Sequence, residues 1–512
     1  MASRRSRITV GDPETAKQPN SPARGCVVRT SSVGRAFRSE YHRRVADEEL
    51  ETDYLVVGAG AAGMAFTDTL LAHSDAKITI VDRRLAPGGH WIDAYPYVRL
   101  HQPSTFYGVS SVPLGHDARD LAGTNVGYYE LAGADEIRAY YEHVMHRVFL
   151  PSGRVGYFPS SDYVGEGRFV SRLAKRSCKV RALKKIVDTT YLEGAIPATS
   201  APPFEIADGV RCLPAGEIVR LNERPERFVI IGAGKTALDA CVWLLEQGVP
   251  APAIRWIRPR DAWWLNRRFH QPHELLPNFY RGMAIQFEAM ARAASAQDLA
   301  ARLEEEAFFL RIDPGVAPTM FHGAVVSEAE LGLLRRIEDV VRLGRVLRIE
   351  RDEIILEEGR VPTNERTVHV HCASRGLARP PLRPIFEPGR VTIQPFLWGL
   401  VCYQFGMLGV VEATVESEDE KNRVCPPIPY WDTVEEYLSA FLATFANERA
   451  RAAHPTLASW AKETRLNPLG GIARYRDAPD VLDTRERITR FRAAAESNLV
   501  RLLEATATPP RA

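Results

Sequence analysis

Gly58, Gly60 and Gly63, followed by Asp82 24 residues beyond the first, have the types and spacing of a dinucleotide site. A phosphate-binding turn needs a tight bend, a backbone bare enough to approach a pyrophosphate, and a close helix–strand contact. Gly58, Gly60 and Gly63 answer those needs in order, and Asp82 stands where a carboxylate can accept hydrogen bonds from an adenosine ribose. Ala62 inside the turn and Arg83 after the acid complete this first constellation. A second follows in "IIGAGKTALDA", with Gly232, Gly234, Lys235 and Thr236, and Ala237 at the third glycine position. No carboxylate closes the strand after it; Arg255, Arg258 and Arg260 cluster there instead. Arginine at that position accommodates a 2′-phosphate, so Arg258 and Arg260 are expected to select NADPH.

The elements that must position these residues are legible around them. "YLVV" reads as a strand, "MAFTDTLLAH" as the helix after the turn, and "AKITIVDRR" as a second strand ending at Asp82. The same strand, turn, helix and strand recur from Val229 to "AIRWIRPRDAW". The expected fold class is α/β, with two Rossmann-like dinucleotide-binding domains, an FAD domain holding an inserted NADPH domain, plus helical additions. The expected boundaries are 53–220 for the first part of the FAD domain and 221–375 for the NADP domain, with a helical insertion at about 270–345. Residues 376–512 return to the FAD domain and end in helices. The insertion reads either as a cap on the NADP domain or as a lid over a substrate.

The 512 residues suffice for several domains, and 66 basic against 64 acidic residues give a net charge of +2. That balance argues against attraction to nucleic acid or anionic membrane. Seven cysteines, at 26, 178, 212, 241, 372, 402 and 425, include no C-x-x-C pair and point to reduced thiols rather than disulfides. No apolar run approaches the roughly 18 residues of a membrane helix, so a protein without a membrane span, in the cytoplasm, is expected. Residues 1–52 read as a separate basic segment. Its first 44 residues carry ten Lys or Arg, three Asp or Glu and six serines, which reads as a disordered arm, with an organellar targeting segment as the alternative. His369 and His371 in "HVHC" would share one strand face, but no second ligand pair lies near, so no metal site is expected. No G-x-S-x-G or H-E-x-x-H signature occurs.

Beyond the glycine motifs the chain resembles the flavin-containing monooxygenase superfamily. "PGGHW", with Gly89, His90 and Trp91, is similar to its G-G-x-W segment, and Tyr95, Pro96 and Arg99 match the Y-P-x-x-R of Baeyer–Villiger-type members. The likeness runs from Asp53 to about Ala413. Three features differ. The F-x-G-x-x-x-H segment before the second motif is missing, His101 replaces an Asp, and the crossover reads Ala373, Ser374, Arg375, Gly376 instead of A-T-G. The resemblance implies FAD and NADPH as cofactors, with Gly89, His90 and Trp91 at the flavin nucleotide and Arg99, His101 and Gln102 as the catalytic candidates. It further implies a monooxygenase that uses molecular oxygen and a small organic substrate through a C4a-(hydro)peroxyflavin. The alternative is an NAD(P)H-dependent flavin oxidoreductase or dehydrogenase without productive oxygenation. Trp263 and Trp264 are expected as apolar packing.

Overall fold

The strand β1 (Leu50–Val57) pairs in parallel with two neighbours, β2 (Ile78–Val81) on one side and Ser177–Asp188 on the other. This computed structural model describes residues 49–374, 376, 378–399 and 401–507. The basic segment up to residue 48, with Cys26, and Arg375 of the crossover lie outside them.

β1 is buried on both faces from Tyr54 to Val57, which is why "YLVV" is a continuous apolar run rather than an alternating one. Its sheet runs in the order 386–387, 390–392, 177–188, 50–57, 78–81, 155–158. The chain leaves β1 toward β2 on one side, while strand 177–188 flanks it on the other. The carboxyl end of β1 is therefore a topological switch point, where open α/β sheets bind ligands. Hairpin 161–171 extends strand 177–188 in antiparallel fashion.

Helix α1 (Ala61–His73) is buried around most of its circumference because it lies between this sheet and helix Val401–Thr414. The two helices touch closely. The Thr69 hydroxyl donates to the Gly406 carbonyl at 2.6 Å, and a Cβ at Gly409 would overlap the Phe66 carbonyl oxygen. Arg465 fastens the loop 105–112, ahead of helix Ala134–His143: its guanidinium donates to the carbonyls of Thr105, Tyr107, Val109 and Val112 at 2.7–3.1 Å.

A second parallel sheet repeats the arrangement with β3 (Arg227–Ile231), α2 (Lys235–Glu246) and β4 (Ile254–Ile257). Its order is 340–341, 254–257, 227–231, 367–371, 212–214, so β3 also ends at a switch point. The segment from 270 to 345 is only partly helical. Helices Leu276–Arg292, Ala296–Glu305 and Glu328–Leu334 alternate with strands Phe309–Leu310, Met320–Val326 and Val340–Val341. The short run Met320–Val326 is a strand because it aligns beside Ala262–Asn266, whose apolar residues need a partner. Helices 276–292, 434–452 and 479–507 share one core, in which Phe287 stacks on Phe445 at 5.0 Å. Mixed α/β architecture with helical additions is thus what the chain adopts. No helix among the described residues is long and apolar enough to cross a membrane. All six described cysteines are free, and burial pushes the Cys402 thiol up to about 11.

Candidate functional site

The first glycine turn leaves β1 at Gly58, whose φ of +105° suits glycine and whose Cβ, if present, would stand 2.5 Å from the Thr189 hydroxyl. Gly63 sits under the Gly58 carbonyl with no room for a side chain. Gly60 faces Gly89: a Cβ on Gly89 would come within 2.8 Å of the Gly60 Cα, and the Gly88 N–H donates to the Ala59 carbonyl. The "GGHW" segment therefore lies directly against the turn. Asp82 is 4% exposed and accepts from the backbone N–H groups of Ala59 at 2.6 Å and Arg84 at 2.7 Å. Burial outweighs these bonds and raises its pKa above the ordinary range. Each carboxylate oxygen keeps a lone pair beyond the one its backbone bond uses. Arg83 is exposed and paired with Glu193 at 2.9 Å, Ala62 is half-buried at the start of α1, and the Trp91 indole donates to the Tyr107 hydroxyl at 2.7 Å. His90 packs beside Trp91 with ring centroids 5.0 Å apart.

The second turn is built differently. Gly232 has φ +138°, and a Cβ there would meet the Cys372 backbone at 3.0 Å. Gly234, by contrast, has an ordinary extended backbone, and a Cβ on it would meet nothing within 4 Å. Neither conformation nor packing demands glycine at 234. Lys235 pairs with Asp239 and reaches Glu330 at 3.6 Å, and Thr236 hydrogen-bonds Tyr95.

The arginines after β4 fall in three different places. Arg255 holds Asp339 at 3.0 Å and the Pro362 carbonyl at 2.7 Å. Arg258, expected to meet a 2′-phosphate, is 2% exposed instead. Its i,i+3 pair with Asp261 at 3.0 Å folds the guanidinium inward over the Trp256 ring, and burial lowers its pKa. Arg260 is the exposed one of the three.

Residues 88–101 run from the first turn, at Gly88 and Gly89, to the second, which Tyr95 reaches. The Tyr95 hydroxyl donates to Asp239 at 2.6 Å, and Tyr97 donates to the Ala215 carbonyl at 3.0 Å and stacks on Trp243. His101 accepts the Val325 N–H on Nδ1 at 3.2 Å. Its carbonyl lies 3.4 Å from Nε of Arg267, which is buried and paired with Glu330 at 2.7 Å. Burial, Lys235 and Arg267 push the His101 pKa down to about 3. Burial alone would raise Glu330, but Lys235 and Arg267 outweigh it and hold the carboxyl below its ordinary value. Asp239 stays raised by burial despite Lys235.

Arg99 does not join this group. It forms a bridge with Gly133, donates to the Leu131 carbonyl and pairs with Asp120 at 2.9 Å, with nearly half its side chain exposed. Gln102 follows His101, half-buried. Tyr95, Asp239, Lys235, Glu330 and Arg267 form a continuous polar chain that the sequence reading did not assemble. Apart from the i,i+4 pair Lys235–Asp239, the partners lie up to 144 residues apart along the chain, where no local spacing signals them. Trp263 and Trp264 lie in the interior, Trp263 stacked on Phe309 at 5.8 Å. His369 bonds Thr363 and the Arg211 carbonyl, and both ring nitrogens of His371 are buried without a partner among the described residues. Among those residues no group of three or more His, Cys, Asp or Glu is placed to hold a metal.

A family model described as an NAD(P)-binding Rossmann-like domain matches residues 56–103. Over 424 residues the chain is 41% identical to the uncharacterized protein Rv2000 of Mycobacterium tuberculosis, spanning 83% of this chain and 79% of that protein. The uncharacterized protein Mb2023 of Mycobacterium bovis matches equally. Among solved structures, cyclohexanone-bound cyclohexanone monooxygenase in the Rotated conformation aligns with 81% of this chain and 98% of its own, at 13% identity and a TM-score of 0.48. A flavin-containing monooxygenase from Stenotrophomonas maltophilia aligns with 80% of this chain and 99% of its own, at 16% identity and a TM-score of 0.36.

Proposed function

We propose a function for this chain, which belongs to the same family as the uncharacterized protein Rv2000 of Mycobacterium tuberculosis. It is an FAD-dependent, NADPH-using monooxygenase acting on a small organic substrate. One observation carries the reading: two sheets, each parallel around its central strand, carry a glycine turn at that strand's switch point, and residues 88–101 run from one turn to the other. The first sheet would hold FAD and the second NADPH. When bound, these cofactors supply the electrons and the oxygen chemistry.

The chain's own residues bind and orient. The bare backbone at Gly58 and Gly60 admits a pyrophosphate, and Asp82 accepts ribose hydroxyls. Gly234 leaves open space for a second pyrophosphate, and exposed Arg260 meets a 2′-phosphate. Lys235 and Arg267 place positive charge beside His101, where developing negative charge would be stabilised.

Replacing Arg260 with alanine is expected to weaken NADPH binding by about tenfold, the loss of one charge-assisted contact, while leaving NADH unchanged. Titration of both coenzymes checks this, and equal losses would show that Arg260 does not touch the 2′-phosphate. The oxygenation itself is tested by supplying labelled molecular oxygen and NADPH with a substrate panel, and reading the label in product.

The oxidoreductase alternative has one observation in its favour. Arg99, the cation that the family-like segment would bring to the flavin, is committed to Asp120. NADPH consumption matched throughout by hydrogen peroxide, with no labelled product, would establish that alternative.

A further inference from the structure

Glu330 divides one carboxylate between two cations that belong to different parts of the fold. Its Oε2 accepts from the Ser327 N–H at 2.6 Å and pairs with Arg267 Nη2 at 2.7 Å, whereas its Oε1 faces Lys235 Nζ at 3.6 Å. Ser327 is itself fixed: its hydroxyl donates to the Thr124 carbonyl at 2.6 Å and accepts from the Glu330 N–H at 3.0 Å. The carboxylate is therefore anchored, and the cations are the parts that can adjust.

The two contacts are unequal. The Arg267 pair is a charge-assisted hydrogen bond, while 3.6 Å is beyond hydrogen-bond reach and leaves Lys235 attracted but unbonded. Lys235 is also drawn the other way, to Asp239 one helical turn on. Beside it Gly234 faces open space, and no acidic residue stands in the first turn of α2. An anion on this turn competes for Lys235, and the unbonded contact to Glu330 is the one that yields. Arg267 lies at the opposite end, 1% exposed. Its Nε lies 3.4 Å from the His101 carbonyl and its Nη1 3.4 Å from Asn125 Oδ1, while the His101 ring accepts the Val325 N–H at 3.2 Å.

We propose that Glu330 is a positioning residue that couples the second glycine turn to His101. A phosphoanhydride on the turn draws Lys235 off Glu330, and the carboxylate then holds Arg267, and through it His101, more firmly. The inference rests on the proposed function only in taking that anion to be the pyrophosphate of a dinucleotide.

Hydrogen exchange at the Val325 amide reads the His101 contact without reference to activity. NADP+ is expected to slow it about fivefold in the wild-type protein, the low end for linked sites. Lys235→Met should slow it as much with no ligand present, because the competing cation is gone. Glu330→Gln keeps an acceptor for the Ser327 N–H and removes the charge. That variant should bind NADP+ about fivefold tighter, since Lys235 no longer has a carboxylate to leave, and its Val325 exchange should ignore the ligand. A Glu330 that served only to hold the fold would make the same variant bind more weakly.

Unchanged Val325 exchange in ligand-free Lys235→Met would overturn the coupling, as would weaker NADP+ binding by Glu330→Gln. Failure of the wild-type protein to bind NADP+ would instead count against the dinucleotide reading of the second turn. The ligand-free comparison of Lys235→Met with wild type decides the coupling in either case.

Discussion

Gly63→Ala is expected to destabilise the protein by about 3 kcal/mol, whereas Gly234→Val leaves stability within about 1 kcal/mol and removes NADP+ binding. The two positions look equivalent as motif glycines and differ physically. A Cβ at Gly63 would overlap the Gly58 carbonyl oxygen, a backbone atom that moves only if α1 withdraws from β1. A Cβ at Gly234 would enter empty space at the start of α2, on a backbone any residue adopts. Denaturant unfolding and calorimetric titration with NADP+ separate the effects. Wild-type stability in Gly63→Ala would refute the close helix–strand contact. Undiminished NADP+ binding in Gly234→Val would show that this turn holds no pyrophosphate.

Arg465→Met is expected to cost about 3 kcal/mol, through loss of hydrogen bonds from a charged donor and the stranding of carbonyls. The guanidinium gathers four carbonyls of the 105–112 loop and, among the described residues, bonds no carboxylate. The loop also carries the Ser111 groups that bond Asp68, on the buried flank of α1. Arg465→Lys should recover only part of the loss, because an ammonium cannot span the same fan of acceptors. A midpoint of urea unfolding unchanged in Arg465→Met would mean that water replaces the clamp at no cost.

The glycine turns were legible in the sequence because their requirements are local. A positive φ at Gly58 and a helix lying against its own preceding strand are settled within six residues. Charge placement was not legible in the same way. Counting arginines after β4 suggested a phosphate site, but Arg255 is held by Asp339, 84 residues on, and Arg258 folds onto Asp261 and Trp256. Arg99 likewise matched a motif by spacing, yet Asp120 holds it at the surface. In the Tyr95–Asp239–Lys235–Glu330–Arg267 chain only the Asp239–Lys235 link is local; the others depend on strands and helices brought together from distant stretches. Strand Met320–Val326 escaped the helical reading of its segment because its partner, Ala262–Asn266, lies more than fifty residues earlier.

The contact between α1 and helix 401–414 bears on how the chain is made. Every strand of the second sheet is complete by His371, but the first sheet waits for strand 390–392 and α1 waits longer for the helix that covers it. At translation speeds of about 5–20 residues per second, the far flank of α1 stays uncovered for roughly 15–65 s after its synthesis. Phe66 and Leu70, fully buried in the finished protein, belong to that helix. A nascent chain halted near residue 385 would carry every strand of the second sheet and an incomplete first one. The earliest glycine turn to leave the ribosome is therefore the last to mature, and a chaperone holding newly made protein would be expected to find its target on α1.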